Sequence, residues 1–370
     1  MVFSKYMATL DNPYLTNDLV DELQSQGHKV TVVAYGDLSI VKKTEHLEEH
    51  IIGVSSSIKI LKYVLLWPKL FYHLIIVFRN NKPFDQIVVQ APLTVKLPAA
   101  FFIKLASSRK KTLMVFDIFP LHHTKIKSLP PWSEKILKTV EMFLMKGFTE
   151  ITAMGKGNRQ FIQDYYFGGD ATVPIKIMHL WGKTNVNIQP ANYVDGPIKI
   201  VFGGQIVKGR NSAALIEFLN ILRKRNFDLT LTFYSWGEEY ERIKRRYADY
   251  EWISFQRQVS RKDYQSLLSH FHVGAIVTDK NADVPTFPSK TIDYISSGLY
   301  CFCLVEKESE LYNVVGDFQR IYINSFDFSE VGIQSAINFL NSIKNIDTDY
   351  EVSELIDIFS VKNAVAKLLE

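Results

Sequence analysis

Twice along this chain, short runs of β-branched and other apolar residues alternate with stretches whose apolar residues recur at helical spacing. Few folds accept that pattern. In the first half KVTVVAY (29–35), FDQIVVQA (84–91), KTLMVFDIF (111–119) and EITAMG (150–155) read as strands. Between them LTNDLVDELQSQ (15–26), residues 58–80, PLTVKLPAAFFIKLAS (92–107) and SEKILKTVEMFLMKGF (133–148) read as helices, with Gly27 stopping the first and Pro68 interrupting the second. The pattern restarts with IKIVFGG (198–204), DLTLTFYSWG (228–237), VGAIVTD (273–279) and YCFCLV (300–305), separated by helical segments such as SAALIEFLNILRKR (212–225). Strands that alternate with helices define βαβ units and a parallel sheet covered on both faces.

A chain of 370 residues exceeds what one hydrophobic core usually supports, so two domains are expected. The break falls near residue 185. The expected division is 1–184, joined by a C-terminal helix over 351–370, and 185–350. Ligands of open parallel sheets bind beyond the carboxyl ends of the strands, so the expected site lies in a cleft that the two sheets face.

Cys301 and Cys303, the only cysteines, sit on one side of the strand YCFCLV and read as reduced core residues, which points to a cytosolic compartment. The opening MVFSKYMATLDNPY has neither the basic head nor the long apolar run of a signal peptide. No apolar run reaches the length of about 18 residues that a bilayer span needs. Charge is uneven: residues 1–180 hold 22 basic and 15 acidic side chains, and the remainder 21 and 24. A basic first half suits peripheral contact with an anionic membrane, with residues 58–78 (Lys59, Lys62, Trp67, Lys69) as the candidate contact. A helix buried in the first domain is the competing reading of that segment. Nucleic-acid binding is not expected, since the charge excess is modest and no aromatic stacking pattern accompanies it.

Two stretches carry candidate chemistry. In IVFGGQIVKGRNSAALIEFLN (200–220) a strand ends at Gly203-Gly204, a loop carries Lys208 and Arg210, and Asn211 or Ser212 caps a helix. A helix start beside small residues and two cations suits a diphosphate. In PTFPSKTIDYISSG (285–298), Pro288 sets the turn, Ser289 and Lys290 stand at the start of a helix, and Asp293 lies one turn in, within reach of a ribose diol. Asp347–Asp349, the only D-x-D pair, reads as linker rather than metal site. Asp117 and the pair His122-His123 follow a strand of the first half, and Asn12-Pro13-Tyr14 follows the first strand.

GHKVTVV, FGGQIVKGRNSAALIEF, FYSWG and FPSKTIDYISSG together resemble the GT-B glycosyltransferases, specifically the retaining bacterial group related to family 4 (glycosyl transferases group 1). The similarity runs in order over nearly the whole chain, and FPSK-xx-[ED]-Y-xx-xG is its most specific part. It implies two Rossmann-like doubly wound domains facing across a cleft, the C-terminal helix returning to the first. It also implies transfer of a sugar, of the hexosyltransferase type, from a nucleotide-diphosphate donor (a UDP- or GDP-sugar) to a hydroxyl of a glycan acceptor. Such enzymes act in capsule, exopolysaccharide or O-antigen assembly, on lipid-linked acceptors at the inner face of the plasma membrane, and no cofactor or metal is required. Carried over by residue, Gly204, Lys208 and Arg210 hold the diphosphate; Thr286, Ser289 and Lys290 line the phosphate and sugar pocket; and Asp293 replaces the ribose-binding glutamate. Lys208 and Arg210 stabilise the departing diphosphate, and His122 polarises the sugar or orients the acceptor. Two departures stand out. Pro285 occupies the place of the family's paired glutamate, with Asp283 nearby, and Gln205 replaces a basic residue after the glycine. A catalytically inactive GT-B partner and a nucleotide-sugar epimerase stay open as alternatives.

Overall fold

The computed structural model describes residues 2–5, 15–36, 39–54, 59–81, 83–125, 129–182, 196–207, 210–281, 284–344 and 349–370. The chain divides into two compact units, Met1–His179 with Val361–Glu370, and Leu180–Ser360.

In the first unit the strands are β1 (Val2–Lys5), β2 (Val30–Gly36), β3 (Ile40–Lys43), β4 (Leu47–Gly53), β5 (Gln86–Gln90), β6 (Lys110–Met114), β7 (Glu150–Ala153) and β8 (Ile175–Ile177). They order as β3-β4-β2-β1-β5-β6-β7-β8, parallel except for β3, which pairs antiparallel with β4. The helices are α1 (Leu15–Ser25), α2 (Lys59–Asn80), α3 (Leu97–Leu105), α4 (Leu121–Lys125), α5 (Ser133–Met145) and α6 (Lys156–Phe167).

Helix α1 buries Leu19, Val20 and Leu23 and ends where the sequence places its stop. Gly27, at φ 84°, donates to Gln24 O (2.9 Å), and His28 donates to Leu23 O (3.1 Å), closing a Schellman motif. Helix α2 differs from expectation, because it runs unbroken through Pro68. That ring lies on the exposed side, and the inward residues Leu66, Leu70, Leu74 and Val77 keep their register. The β3–β4 hairpin carries no clean apolar alternation and was not expected from the sequence.

The second unit holds β9 (Ile198–Gln205), β10 (Leu229–Trp236), β11 (Ile253–Arg257), β12 (Val273–Val277), β13 (Tyr300–Leu304) and β14 (Ile321–Asn324). Its helices are α7 (Ser212–Lys224), α8 (Tyr240–Arg246), α9 (Arg261–Leu268), α10 (Lys290–Ser296), α11 (Leu311–Val315), α12 (Glu330–Ser342) and α13 (Asp349–Ile358). The order β11-β10-β9-β12-β13-β14, all parallel, is the doubly wound arrangement, and its direction reverses between β9 and β12. One face buries Ile198, Ile200 and Phe202 of β9 against Leu215, Phe218 and Leu219 of α7 and Ile333 and Leu340 of α12. Each such side chain contributes roughly 1.5–3 kcal/mol on burial. Cys301 and Cys303 are free and fully buried on β13.

The C-terminal segment is two helices rather than one. Helix α13 packs on α10, whereas α14 (Val361–Leu369) packs on α1. The last turn of α14 is held by β5 and β6: Gln86 Nε2 and Lys110 Nζ both donate to Leu368 O, at 2.8 and 2.7 Å.

Candidate functional site

The reversal between β9 and β12 is where an open parallel sheet makes room for a ligand, and both stretches singled out by sequence converge there. Strand β9 stays paired with β10 through Gln205 but with β12 only at Ile200 and Val201, so Gly203-Gly204 lie at its carboxyl end where the two neighbours diverge. Gly204 has φ 138°, and among the described residues no atom beyond its chain neighbours lies within 4 Å of where a Cβ would sit, so its backbone is open to close approach. At Gly203 the reason for glycine is different. A Cβ there would meet Tyr264 Oη at 2.0 Å, while the Gly203 N–H donates to Tyr294 Oη at 3.0 Å.

Tyr294, on α10, is the physical link between the two stretches. It is fully buried, lies 3.2 Å from Tyr264 Oη, and its ring passes over Gly274 of β12, where a Cβ would meet it at 2.2 Å. Burial pushes both phenols well above their ordinary pKa, so they act as neutral hydrogen-bonding groups. The residue before Tyr294 is Asp293, which is thereby fixed relative to the end of β9.

Asp293 accepts from Lys290 Nζ at 3.0 Å through Oδ2, and Arg261 Nη2 stands 3.5 Å from Oδ1. Lys290 Nζ also lies 4.7 Å above the Tyr264 ring. Lys290 and Asp293, expected as separate phosphate and ribose contacts, are therefore in direct contact with each other, and Arg261, which opens α9, adds a cation that sequence reading missed. The trio carries a net positive charge. A carboxylate offers about four lone-pair positions, so Asp293 keeps acceptor capacity for hydroxyl donors. Helix α10 is only seven residues long, so charge at this point comes from side chains rather than from the helix. Ser289 is exposed at its N-cap without a side-chain capping bond.

Arg210 is exposed, and its Nη1 reaches Gln205 O at 3.4 Å. Asn211 occupies the N-cap of α7, but neither it nor Ser212 caps as expected. Asn211 instead donates through Nδ2 and its backbone N–H to Thr278 O, at 3.4 and 3.5 Å, bridging the ends of β9 and β12. Ser212 Oγ is buried beside that helix start without a hydrogen-bond partner among the described residues. Lys208 and Asp283 lie outside the described residues, as do Asn12, Pro13, Tyr14 and Asp347.

Thr286 is held by a buried carboxylate. Its hydroxyl donates to Glu306 Oε1, its N–H points to the same oxygen at 3.3 Å, and Thr278 Oγ1 donates to Oε2. Glu306 is 1% exposed. Burial raises its pKa, and the hydrogen bonds from the two threonines act against that rise. Glu306 is the first polar residue after β13, as Thr278 is after β12. It ties together the loops after β12 and β13 and the segment leading into Lys290. Pro285 is buried at the place of the family's paired glutamate.

The remaining candidates belong to the first unit. His122 is on α4, and its side chain lies outside the described residues; the His123 ring meets Phe119 edge-on at 5.3 Å. Asp117 is exposed in the loop after β6. Trp67 turns inward, half-buried, donating through Nε1 to Val95 O at 3.0 Å, and exposed Lys69 donates to Gly53 O at 3.1 Å. Trp67 is thus a packing residue rather than an outward anchor. Among the described residues no group of three or more His, Cys, Asp or Glu is arranged to hold a metal ion, and no helix is long and apolar enough to cross a membrane.

No family model matches the sequence, and no curated protein matches it. Solved structures do. Sucrose-phosphate synthase from Thermosynechococcus elongatus superposes with a TM-score of 0.73 at 9% identity, over 99% of this chain and 96% of that one. Anabaena HepE, solved with UDP and glucose, gives 0.68 at 12% identity over 100% and 97%. The lipopolysaccharide outer core galactosyltransferase WaaB gives 0.64 at 12% identity over 99% of both chains. The fold is GT-B, with two Rossmann-like units spanning the whole chain.

Proposed function

We propose that the chain is a retaining glycosyltransferase that moves a hexosyl group from a UDP- or GDP-sugar to a hydroxyl of a lipid-linked glycan in bacterial surface polysaccharide assembly. The observation that carries this reading is the group at the β9/β12 reversal: an open glycine backbone and the Lys290–Asp293–Arg261 cluster, linked through Tyr294 and Tyr264, with Arg210 reaching Gln205 O at the end of β9. That group offers cations for a diphosphate and a carboxylate for a diol within one unit. The GT-B fold supports the same reading, and so does HepE, which was solved with UDP and glucose.

In this scheme the second unit binds the donor, and the first unit, with Val361–Glu370, binds the acceptor. Lys208, Arg210 and Lys290 stabilise negative charge on the departing diphosphate. Thr286, Ser289 and Gly204 shape the phosphate and sugar pocket, Asp293 holds the ribose, and His122 orients the acceptor. The bond between anomeric carbon and diphosphate oxygen breaks, leaving its electron pair on that oxygen. The acceptor oxygen bonds to the same face of the carbon, and its proton passes to the diphosphate oxygen. No metal takes part.

The test is release of nucleoside diphosphate from UDP- and GDP-sugars with and without lipid-linked acceptor. Lys208→Ala and Lys290→Ala are expected to abolish release while retaining the fold; near-normal rates in both would remove the assignment. A second reading, binding without turnover, draws on Pro285 at the place of a glutamate. Donor binding with no release on any acceptor would favour it.

A further inference from the structure

Eight of the fourteen large apolar residues exposed among the described residues lie on or beside three helices of the first unit, α2, α3 and α5. Soluble surfaces carry such residues scattered singly, and a cluster marks a contact. On α5 the outward side reads Trp132, Ile136, Thr139 and Phe143, a spacing of four, three and four that keeps one stripe facing solvent. Phe101 and Leu105 make the matching stripe on α3. The stripes adjoin: Lys104 Nζ lies 3.4 Å from the Phe143 ring centroid and donates to Phe143 O at 3.3 Å. Its stem also crosses the place where a Cβ on Gly147 would sit, 2.4 Å from Cγ. On the other side of α3, Phe102 packs edge-on against Phe71 of α2 at 6.0 Å.

The charge on this face has one sign. Helices α2 and α3 contain no Asp or Glu. Of the two acids on α5, Glu141 is buried and accepts from the Leu93 and Thr94 N–H groups, and Glu134 is half-buried, accepting from Thr124 and Tyr165. Lys69, Lys135 and Lys146 are exposed around the apolar stripes. A second copy docking through these three helices would set lysine against lysine, since none of them offers an exposed carboxylate among the described residues. Exposed rings and aliphatic chains with exposed lysines on the same helices or next to them instead match an interface of acyl chains below anionic headgroups.

We infer that the outward face of α3 and α5, with the adjoining part of α2, docks on an anionic lipid bilayer. The expected contact of residues 58–78 is thereby moved, because Trp67 is turned inward and the apolar surface lies mainly on α3 and α5. This deepens the reading of a lipid-linked acceptor and rests on it for its purpose, but it is tested without donor or acceptor.

The experiment is co-sedimentation of the full chain with phosphatidylcholine vesicles, with and without phosphatidylglycerol. The chain is expected to pellet with the anionic vesicles and to be released by high salt. Leu105→Glu with Phe143→Glu is expected to leave it in the supernatant, whereas Val331→Glu, at an exposed valine of the second unit, pellets as the unaltered chain does. Lys135→Ala and Lys146→Ala, which remove no apolar surface, are each expected to lower partitioning about fivefold. Three results would overturn the inference. The chain fails to pellet with anionic vesicles; the double glutamate variant pellets like the unaltered chain; or that variant instead dissociates a dimer, making a second copy the occupant. Turnover on a soluble acceptor without vesicle binding would sink this inference alone.

Discussion

Replacing Glu306 by alanine tests whether one buried carboxylate holds the loops that carry the candidate site. The substitution removes the acceptor of the Thr278 hydroxyl, the Thr286 hydroxyl and the Thr286 N–H. A buried donor left without a partner costs about 1–3 kcal/mol. The two hydroxyls can rotate toward other acceptors, whereas the backbone N–H cannot. Removal of a costly buried carboxylate offsets part of the loss, so the net expectation is about 2–4 kcal/mol. Glu306→Gln keeps the volume and one carbonyl acceptor, and its amide can donate to the second threonine, so it should cost under about 1 kcal/mol.

The pH dependence has a definite sign. Burial raises the Glu306 pKa in the folded chain. The stability gained from protonation is fully present below the ordinary carboxylate value and is lost as pH rises through the raised one. The wild type should therefore lose ground relative to Glu306→Gln as pH increases across that window. Urea unfolding followed by fluorescence, at several pH values, reads both effects. An alanine variant within about 1 kcal/mol of wild type, or a glutamine variant as damaged as alanine, would refute the clamp.

Gly274→Ala should destabilise the second unit by several kcal/mol, because its Cβ would strike the fully buried Tyr294 ring at 2.2 Å; a thermal midpoint unchanged from wild type would count against the packing described. Burial pushes the Cys301 thiol up to about 12 and the Cys303 thiol well above its ordinary value, so neither should be alkylated at pH 8 until the chain unfolds. Rapid labelling of the native chain, read by mass spectrometry, would contradict that.

What the sequence made legible was local. Gly27 could be read as a helix stop because a Schellman turn needs a residue at positive φ. Lys290 and Asp293 stand three apart and so meet on one helix face. The hidden parts were set by topology or by compensation. Arg261 joins Asp293 from another helix, and Glu306 reaches Thr286 across twenty residues, so no window of sequence shows either pair. Strand β4 reads as polar because Glu48 and His50 interrupt it. In the fold they satisfy each other at 2.8 Å, and His50 continues to His73 at 3.3 Å. Helix α2 absorbs Pro68 because the ring lies outside while the apolar stripe continues inside.

The most direct measurement is calorimetric titration of the full chain with UDP and GDP, repeated on Lys290→Ala, Arg261→Ala and Asp293→Ala. One of the two nucleotides is expected to bind. Each cation removed should weaken it at least about tenfold, equivalent to ~1.4 kcal/mol, and loss of Asp293 should weaken nucleoside more than inorganic pyrophosphate. Absence of binding by either nucleotide, or affinities unchanged in all three variants, would contradict a nucleotide-sugar seat at the β9/β12 reversal.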